Sequence, residues 1–207
     1  ENLVPVTLEP GGKSPTIVCD DFDVDEAASR ILYAKFLNAG QTCLAPDYLL
    51  ISKRSRDRFV EAAKKIVAKR YPDTNDQSYT SVIDEKSYRR LRATLEDAER
   101  RGAKLVPLVP GATFNDELRK IPPHLVLDVT DQMTIMQEEI FGPLYPVRTW
   151  DTIDEAISYV NSKDRPLGLY LFTNDDRIQE KVLYSTISGG VTLNNCVLHV
   201  AQHDLPF

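Results

Sequence analysis

Cys43 closes the run Phe36-Leu-Asn-Ala-Gly-Gln-Thr-Cys43, in which an amphipathic stretch gives way through Gly40-Gln41 to polar residues. A loop at that point can present a side chain into a cleft, and a thiolate presented there is a nucleophile. The other two cysteines, Cys19 and Cys196, lie in or at the end of apolar runs, where a thiol behaves as a small hydrophobe. On residue pattern alone both readings stay open for Cys43. Glu9 sits between a β-like run and the turn Pro10-Gly11-Gly12. A carboxylate turned into a cleft acts as a general base; one left outside is a surface turn residue, which is the commoner case. The third constellation is Gln137-Glu138-Glu139-Ile140-Phe141-Gly142-Pro143. Adjacent acids on a short segment are usually solvated or cap a helix, so a binding role is the rarer reading on spacing alone.

Other chemistries find little support. The nine glycines include no pair separated by one residue, so the GxGxxG dinucleotide fingerprint is absent, as is GxxxxGK[ST]. Three scattered cysteines make neither a disulfide framework nor a CxxC metal site, and no metal is expected. His124, His199 and His203 raise a Cys–His hydrolase reading, with Asn194 or Asn195 orienting the base, but their spacing matches no signature.

The elements that must position these residues alternate between periods of two and 3.6. Val4 to Leu8 and Thr16 to Cys19 read as strands around a Pro-Gly-Gly turn, and Asp25 to Asn38 as a helix with Ala28, Ile31 and Leu32 on one face. Asp47 to Ser52 returns to strand. Phe59, Ala62, Ala63, Ile66 and Val67 mark a second helix that Pro72 ends near Arg70-Tyr71. Tyr88, Leu91, Leu95 and Ala98 mark a third, followed by a strand at Lys104 to Val106. A loop-rich stretch between Pro107 and Pro123 leads into the strand His124 to Asp128, and Tyr145 to Thr149 is the next strand. Ile153, Ala156, Ile157 and Val160 give a helix capped by Asp151 or Thr152. Leu169 to Thr173 and Gly190 to Asn194 are strands on either side of a helix from Asp175 to Ser185. Strands alternating with helices of these lengths imply an α/β layer structure whose sheet is largely parallel and flanked by helices.

With 207 residues, the chain fits one domain, or one with a small appendage, and is long enough to bury a core without disulfides or metals. A net charge of −6 argues against a nucleic-acid or anionic-membrane surface. The basic runs Lys53–Arg58, Lys64–Arg70 and Lys86–Arg92 have acids nearby and read as solvated helix faces. No apolar run approaches the length of a membrane span and no signal-like segment opens the chain, so a reducing, cytoplasmic setting is expected. A start at Glu1 and an abrupt stop at Leu205-Pro206-Phe207 suggest a piece of something longer.

Taken in order, these segments resemble the aldehyde dehydrogenase superfamily. Leu8-Glu9-Pro10-Gly11-Gly12-Lys13-Ser14-Pro15 is similar to its glutamate motif, Phe36 to Cys43 to its cysteine motif, and Glu138 to Pro143 to its EEIFGP motif. The 34-residue separation of Glu9 from Cys43 is the family's own. Ala45-Pro46-Asp47-Tyr48 resembles the class 3-like branch. Within it, Tyr71-Pro72 and Pro122-Pro123-His-Leu-Val-Leu-Asp128 resemble the bacterial coniferyl aldehyde dehydrogenases. The resemblance implies that residues 1–207 are a catalytic domain in which Cys43 attacks an aldehyde and Glu9 activates the water that hydrolyses the thioester. It also implies that Glu139 holds the nicotinamide ribose of NAD or NADP, that Phe141 packs beside it, and that the Cys43 N–H donates to the oxyanion. Pro10 stands where the family usually has leucine, which removes an N–H and biases Glu9 toward extended geometry.

By the same resemblance, the cofactor-binding domain and the hairpin through which the family dimerises are absent here. The isolated chain is then expected to be inactive, and its parent a homodimer acting on a small aldehyde. A fatty-aldehyde dehydrogenase of the same branch and a non-catalytic remnant acting as a binding module are the competing readings.

Overall fold

The computed structural model describes residues 11–204. The strand expected at Val4 to Leu8, and Glu9 with it, lie outside the described residues. Seven strands form one sheet: β1 (Pro15–Val18), β2 (Tyr48–Ser52), β3 (Lys104–Pro107), β4 (His124–Leu127), β5 (Leu144–Trp150), β6 (Gly168–Phe172) and β7 (Gly190–Leu193), in the order β3-β4-β5-β2-β1-β6-β7. Every neighbouring pair is parallel except β3–β4.

Alternation along each strand splits the core into two layers. Val18, Leu49, Ile51, Tyr145, Val147, Tyr170 and Phe172 face one side, under α1 (Val24–Phe36) and α2 (Arg56–Arg70). Ile17, Tyr48, Leu50, Leu144, Leu169 and Leu171 face the other. There they meet α3 (Glu85–Arg100), the single turn α4 (Thr134–Gln137), α5 (Ile153–Asn161) and α6 (Asp176–Ser185). A sheet buried on both faces needs near-continuous apolar strands, and β1, β2 and β6 are buried at every position.

Helix starts follow capping chemistry. The carboxylates of Asp23 and Asp84 accept the N–H groups of Glu26 (2.8 Å) and Ser87 (2.7 Å), and Thr152, not Asp151, caps α5. Helix α1 stops two residues before the expected Asn38, because Asn38, Ala39 and Gly40 all turn left-handed at φ 52°, 52° and 74°. Asparagine and glycine tolerate that region; Ala39 is held there at a cost of about 1–2 kcal/mol. The strain falls in the segment that delivers Cys43.

Candidate active site

Three loops enter three adjacent parallel strands. Residues 11–14 lead into β1, residues 41–47 into β2 and residues 138–143 into β5, and the sheet places these strands side by side as β5-β2-β1. Parallel pairing puts all three lead-ins at the N-terminal end of the sheet. Ligands of open α/β sheets usually bind at the carboxyl ends. In this chain, a cleft of about 520 Å³ at that end, lined by Arg148, Trp150, Thr152, Glu155 and Tyr159, lies away from all three motifs.

Cys43 is half-buried in the loop before β2. Gln41 fastens one side of that loop, donating to Ser81 O (3.0 Å) and accepting from Ile83 N–H (2.9 Å). The buried Tyr170 of β6 fastens the other, its hydroxyl donating to Leu44 O at 2.6 Å. Gly40 packs so closely on the third loop that a Cβ there would lie 2.3 Å from Gly142 O. The other two thiols are sealed: burial, reinforced by Asp21, pushes Cys19 up to about 12, and burial raises Cys196 well above the ordinary range.

Glu139 is half-buried, and Glu138 is exposed. The Glu139 carboxyl lies against the Gly11–Gly12 turn, where a Cβ on Gly11 would sit 2.2 Å from its Oε2. Burial raises its pKa and the nearby charge of Asp47 adds to this, while the Gly12 N–H, Lys13 and Arg90 oppose it. A carboxylate has about four acceptor sites, more than the neighbouring Gly12 N–H can fill. Phe141 stands beside it with a left-handed φ of 49° and 39% of its surface exposed. A half-buried carboxylate with, two residues on, an exposed aromatic is a set of groups able to hold a ribose and the ring attached to it.

Beneath these loops lies a charge cluster. Lys13 donates to the Asp47 carboxylate, to Ile135 O and to Glu138 O, the last two at 2.8 Å. Asp47 accepts the Ile140 N–H at 2.9 Å through its other oxygen. Arg90 of α3 donates to Glu139 O (3.3 Å) and Ile140 O (2.6 Å). Lys35 is only 1% exposed, with its Nζ 5.5 Å from the centre of the Tyr145 ring. Burial brings its pKa down to about 8 despite Asp47.

The structure therefore brings Cys43, Glu139 and Phe141 to one end of the sheet. Sequence reasoning passed over Lys13, Asp47, Arg90 and Lys35 as functional groups. Lys35 had a signal, since it follows Ile31 and Leu32 at i+4 and i+3 on the buried stripe of α1; the others meet only through tertiary contacts. Two of the three histidines have other partners, and His203 is exposed. His124 is buried with Nδ1 2.6 Å from Pro122 O, and His199 pairs with the Thr192 hydroxyl at 2.8 Å. Among the described residues no hydrogen bond joins a histidine to Cys43. Among the same residues no group of three His, Cys, Asp or Glu side chains could hold a metal ion, and no helix is long and apolar enough to cross a membrane.

The chain is thus a three-layer α/β unit that gathers a loop thiol, a half-buried carboxylate and an exposed aromatic at the N-terminal end of its sheet. Residues 1–207 match the Aldehyde dehydrogenase family, and the chain belongs to it. A relative named a probable coniferyl aldehyde dehydrogenase, from Pseudomonas aeruginosa, is 50% identical over 208 residues that cover all of this chain and 43% of the relative. The substrate-bound state of Staphylococcus aureus AldH superposes with a TM-score of 0.91 at 39% identity, covering 99% of this chain and 44% of that one. The NADP-dependent glyceraldehyde-3-phosphate dehydrogenase of Bacillus halodurans, complexed with NADP, gives 0.84 at 31% identity over 95% of this chain and 40% of that one. The chain thus spans less than half the length of these relatives.

Proposed function

We propose that this chain is the catalytic domain of an NAD(P)-dependent aldehyde dehydrogenase that oxidises an aldehyde, coniferyl aldehyde by the similarity to relatives of that name, to its carboxylic acid. The observation that carries the reading is the meeting of the Cys43 loop and the Glu139–Phe141 loop through the Gly40–Gly142 contact.

In this reading the Cys43 thiolate adds to the aldehyde carbonyl, forming a carbon–sulfur bond and a thiohemiacetal oxyanion to which the Cys43 N–H donates. The bound nicotinamide supplies the hydride acceptor. Loss of hydride from the same carbon leaves a thioester on Cys43. Glu9 takes a proton from water, the hydroxide adds to the thioester, and the carbon–sulfur bond breaks to release carboxylate and thiol. Glu139 accepts from the ribose hydroxyls and Phe141 packs on the nicotinamide. The rest of the cofactor site belongs to segments outside this chain. A catalytic thiol suits a reducing compartment, which supports a cytoplasmic setting for the complete protein; a homodimeric state rests on the family resemblance.

The test uses the complete protein that carries this chain. Cys43→Ala should abolish NAD(P)H formation. Glu9→Gln should give one NAD(P)H per active site in a rapid burst and then stall at the thioester. Steady turnover by Cys43→Ala would overturn the assignment.

A further inference from the structure

We propose that Asp47, paired with Lys13, is the positioning residue that aims Glu139 at the cofactor. The inference deepens the reading above and rests on its assignment of Glu139 to the ribose.

The geometry concerns the two peptide groups on either side of Glu139. The carbonyl of Glu138 belongs to the peptide before Glu139, and Lys13 Nζ donates to it at 2.8 Å. The N–H of Ile140 belongs to the peptide after Glu139, and Asp47 accepts it at 2.9 Å. Lys13 and Asp47 are themselves paired, with side chains only 11% and 5% exposed. One ion pair therefore holds both peptide planes that flank a single Cα, and these planes define the φ and ψ of Glu139. Arg90 secures the second plane from the opposite side through Glu139 O.

The ammonium has no donor to spare, and both oxygens of the carboxylate are engaged. An ammonium has three N–H groups, and those of Lys13 serve Asp47, Ile135 O and Glu138 O. Asp47 uses one oxygen for Lys13 and the other for Ile140, while its own N–H donates to Ser14 O at 2.8 Å. This ties the loop before β1, the loop before β2 and the loop before β5 into one frame. A buried ion pair is commonly no more stabilising than a well-packed apolar pair of similar volume. What an apolar pair cannot do is hold a C=O and an N–H in fixed register. Specific geometry is thus the return on burying these charges.

The experiment separates positioning from stability in the complete protein. Four variants are compared: Asp47→Asn, the apolar double variant Lys13→Met/Asp47→Leu, Glu139→Gln, and Asp47→Asn on the Glu139→Gln background. Binding of reduced nicotinamide nucleotide is followed by its fluorescence, alongside the KM for the oxidised cofactor, kcat and the thermal midpoint. In Asp47→Asn the cofactor Kd and KM are expected to rise about tenfold, a loss of about 1.4 kcal/mol, with kcat falling by a smaller factor. The apolar double variant leaves neither member of the pair as a lone charge, and Lys35 loses the favourable charge of Asp47 together with the opposing one of Lys13, so its thermal midpoint should stay near that of the wild type while the same cofactor affinity is lost.

On the Glu139→Gln background, Asp47→Asn should add little, because the residue it positions is already disabled. Wild-type cofactor affinity in the folded Lys13→Met/Asp47→Leu variant would overturn the proposal and leave the pair a structural one. Wild-type affinity in Glu139→Gln would instead remove the ribose assignment, and the positioning role with it. The two failures are told apart by which variant binds normally.

Discussion

Gly40 and Gly142 meet backbone against backbone: a Cβ on Gly40 would lie 2.3 Å from the carbonyl oxygen of Gly142 and 3.0 Å from that of Lys35. The two residues are far apart in sequence, and each stands at the hinge of a loop that carries a candidate site residue, Cys43 for one and Phe141 for the other. Their contact sets the separation of these loops. No larger residue fits there, since Gly40 also needs a φ of 74°, which costs an L-residue about 1–2 kcal/mol.

Gly40→Ala should therefore be the more damaging of the two alanine substitutions. Its new methyl meets rigid backbone, and its φ is disfavoured in addition, so a loss of at least about 2 kcal/mol is expected. Gly142→Ala has an ordinary φ, and its methyl meets Leu91 Cδ2 at 2.5 Å. A leucine terminus can shift, and overpacking of that kind costs about 1–3 kcal/mol. Thermal midpoints of the two variants rank them, and the alkylation rate of Cys43 should fall further in Gly40→Ala. Equal midpoints and equal rates would contradict the role given to this contact.

Thiol selectivity follows from burial. Cys43 is half-buried in its loop, whereas Cys19 and Cys196 are each 2% exposed and have raised pKa values. Alkylation of the native protein near neutral pH, mapped by mass spectrometry, should label Cys43 alone. Cys19 and Cys196 should react only once denaturant opens the core. Labelling of all three at similar rates would mean that the loop gives Cys43 no advantage.

The isolated chain of residues 1–207 should produce no NAD(P)H with any aldehyde. No dinucleotide fingerprint occurs in it, and it spans 43% of a relative that it matches over its own full length. Adding NAD or NADP with coniferyl aldehyde and recording absorbance of the reduced nucleotide is sufficient. Steady production would mean that these residues contain a complete cofactor site.

The layer structure was legible because strands buried on both faces and helices with one apolar stripe leave different periods. Leu169 to Thr173 and Gly168–Phe172 differ by one residue at each end, the usual slack in element boundaries. Helix α4 was not legible: four residues without a side-chain cap leave no periodic trace. The reversal of β3 was hidden as well, since direction depends on how a connection returns and not on the strand's own residues. Chain order gives β1, β2 and β5, and only the sheet order β5-β2-β1 makes their lead-in loops neighbours. The motifs were therefore readable as separate segments with family counterparts. The Lys13–Asp47 pair that joins them is a tertiary fact and left no sequence signal.

Lys35 gives the sharpest pH test. Its side chain is fully buried, and among the described residues the charges that face it are Asp47 and Glu139, which favour its ammonium, and Lys13, which opposes it. Burial outweighs them and brings the pKa from 10.5 to about 8. Below pH 8 the lysine is charged in both the folded and unfolded chains, so the folded state bears the whole cost, on the order of 3 kcal/mol. Between about 8 and 10.5 the unfolded chain binds more protons than the folded one, so stability contributed by this site rises with pH across that window. The buried tyrosines Tyr48, Tyr145 and Tyr170 have raised pKa values and work in the opposite sense above pH 10, which makes a single pH profile ambiguous. The difference between wild type and Lys35→Met cancels them. Methionine keeps the volume and removes the charge, so the variant should be more stable than wild type near pH 7 and should lose that advantage progressively by pH 10. Urea midpoints of the two proteins at four pH values across this range measure the difference. An advantage that is absent at pH 7, or constant with pH, would show that Lys35 is held in its pocket by compensation from the surrounding carboxylates and is not strained by burial.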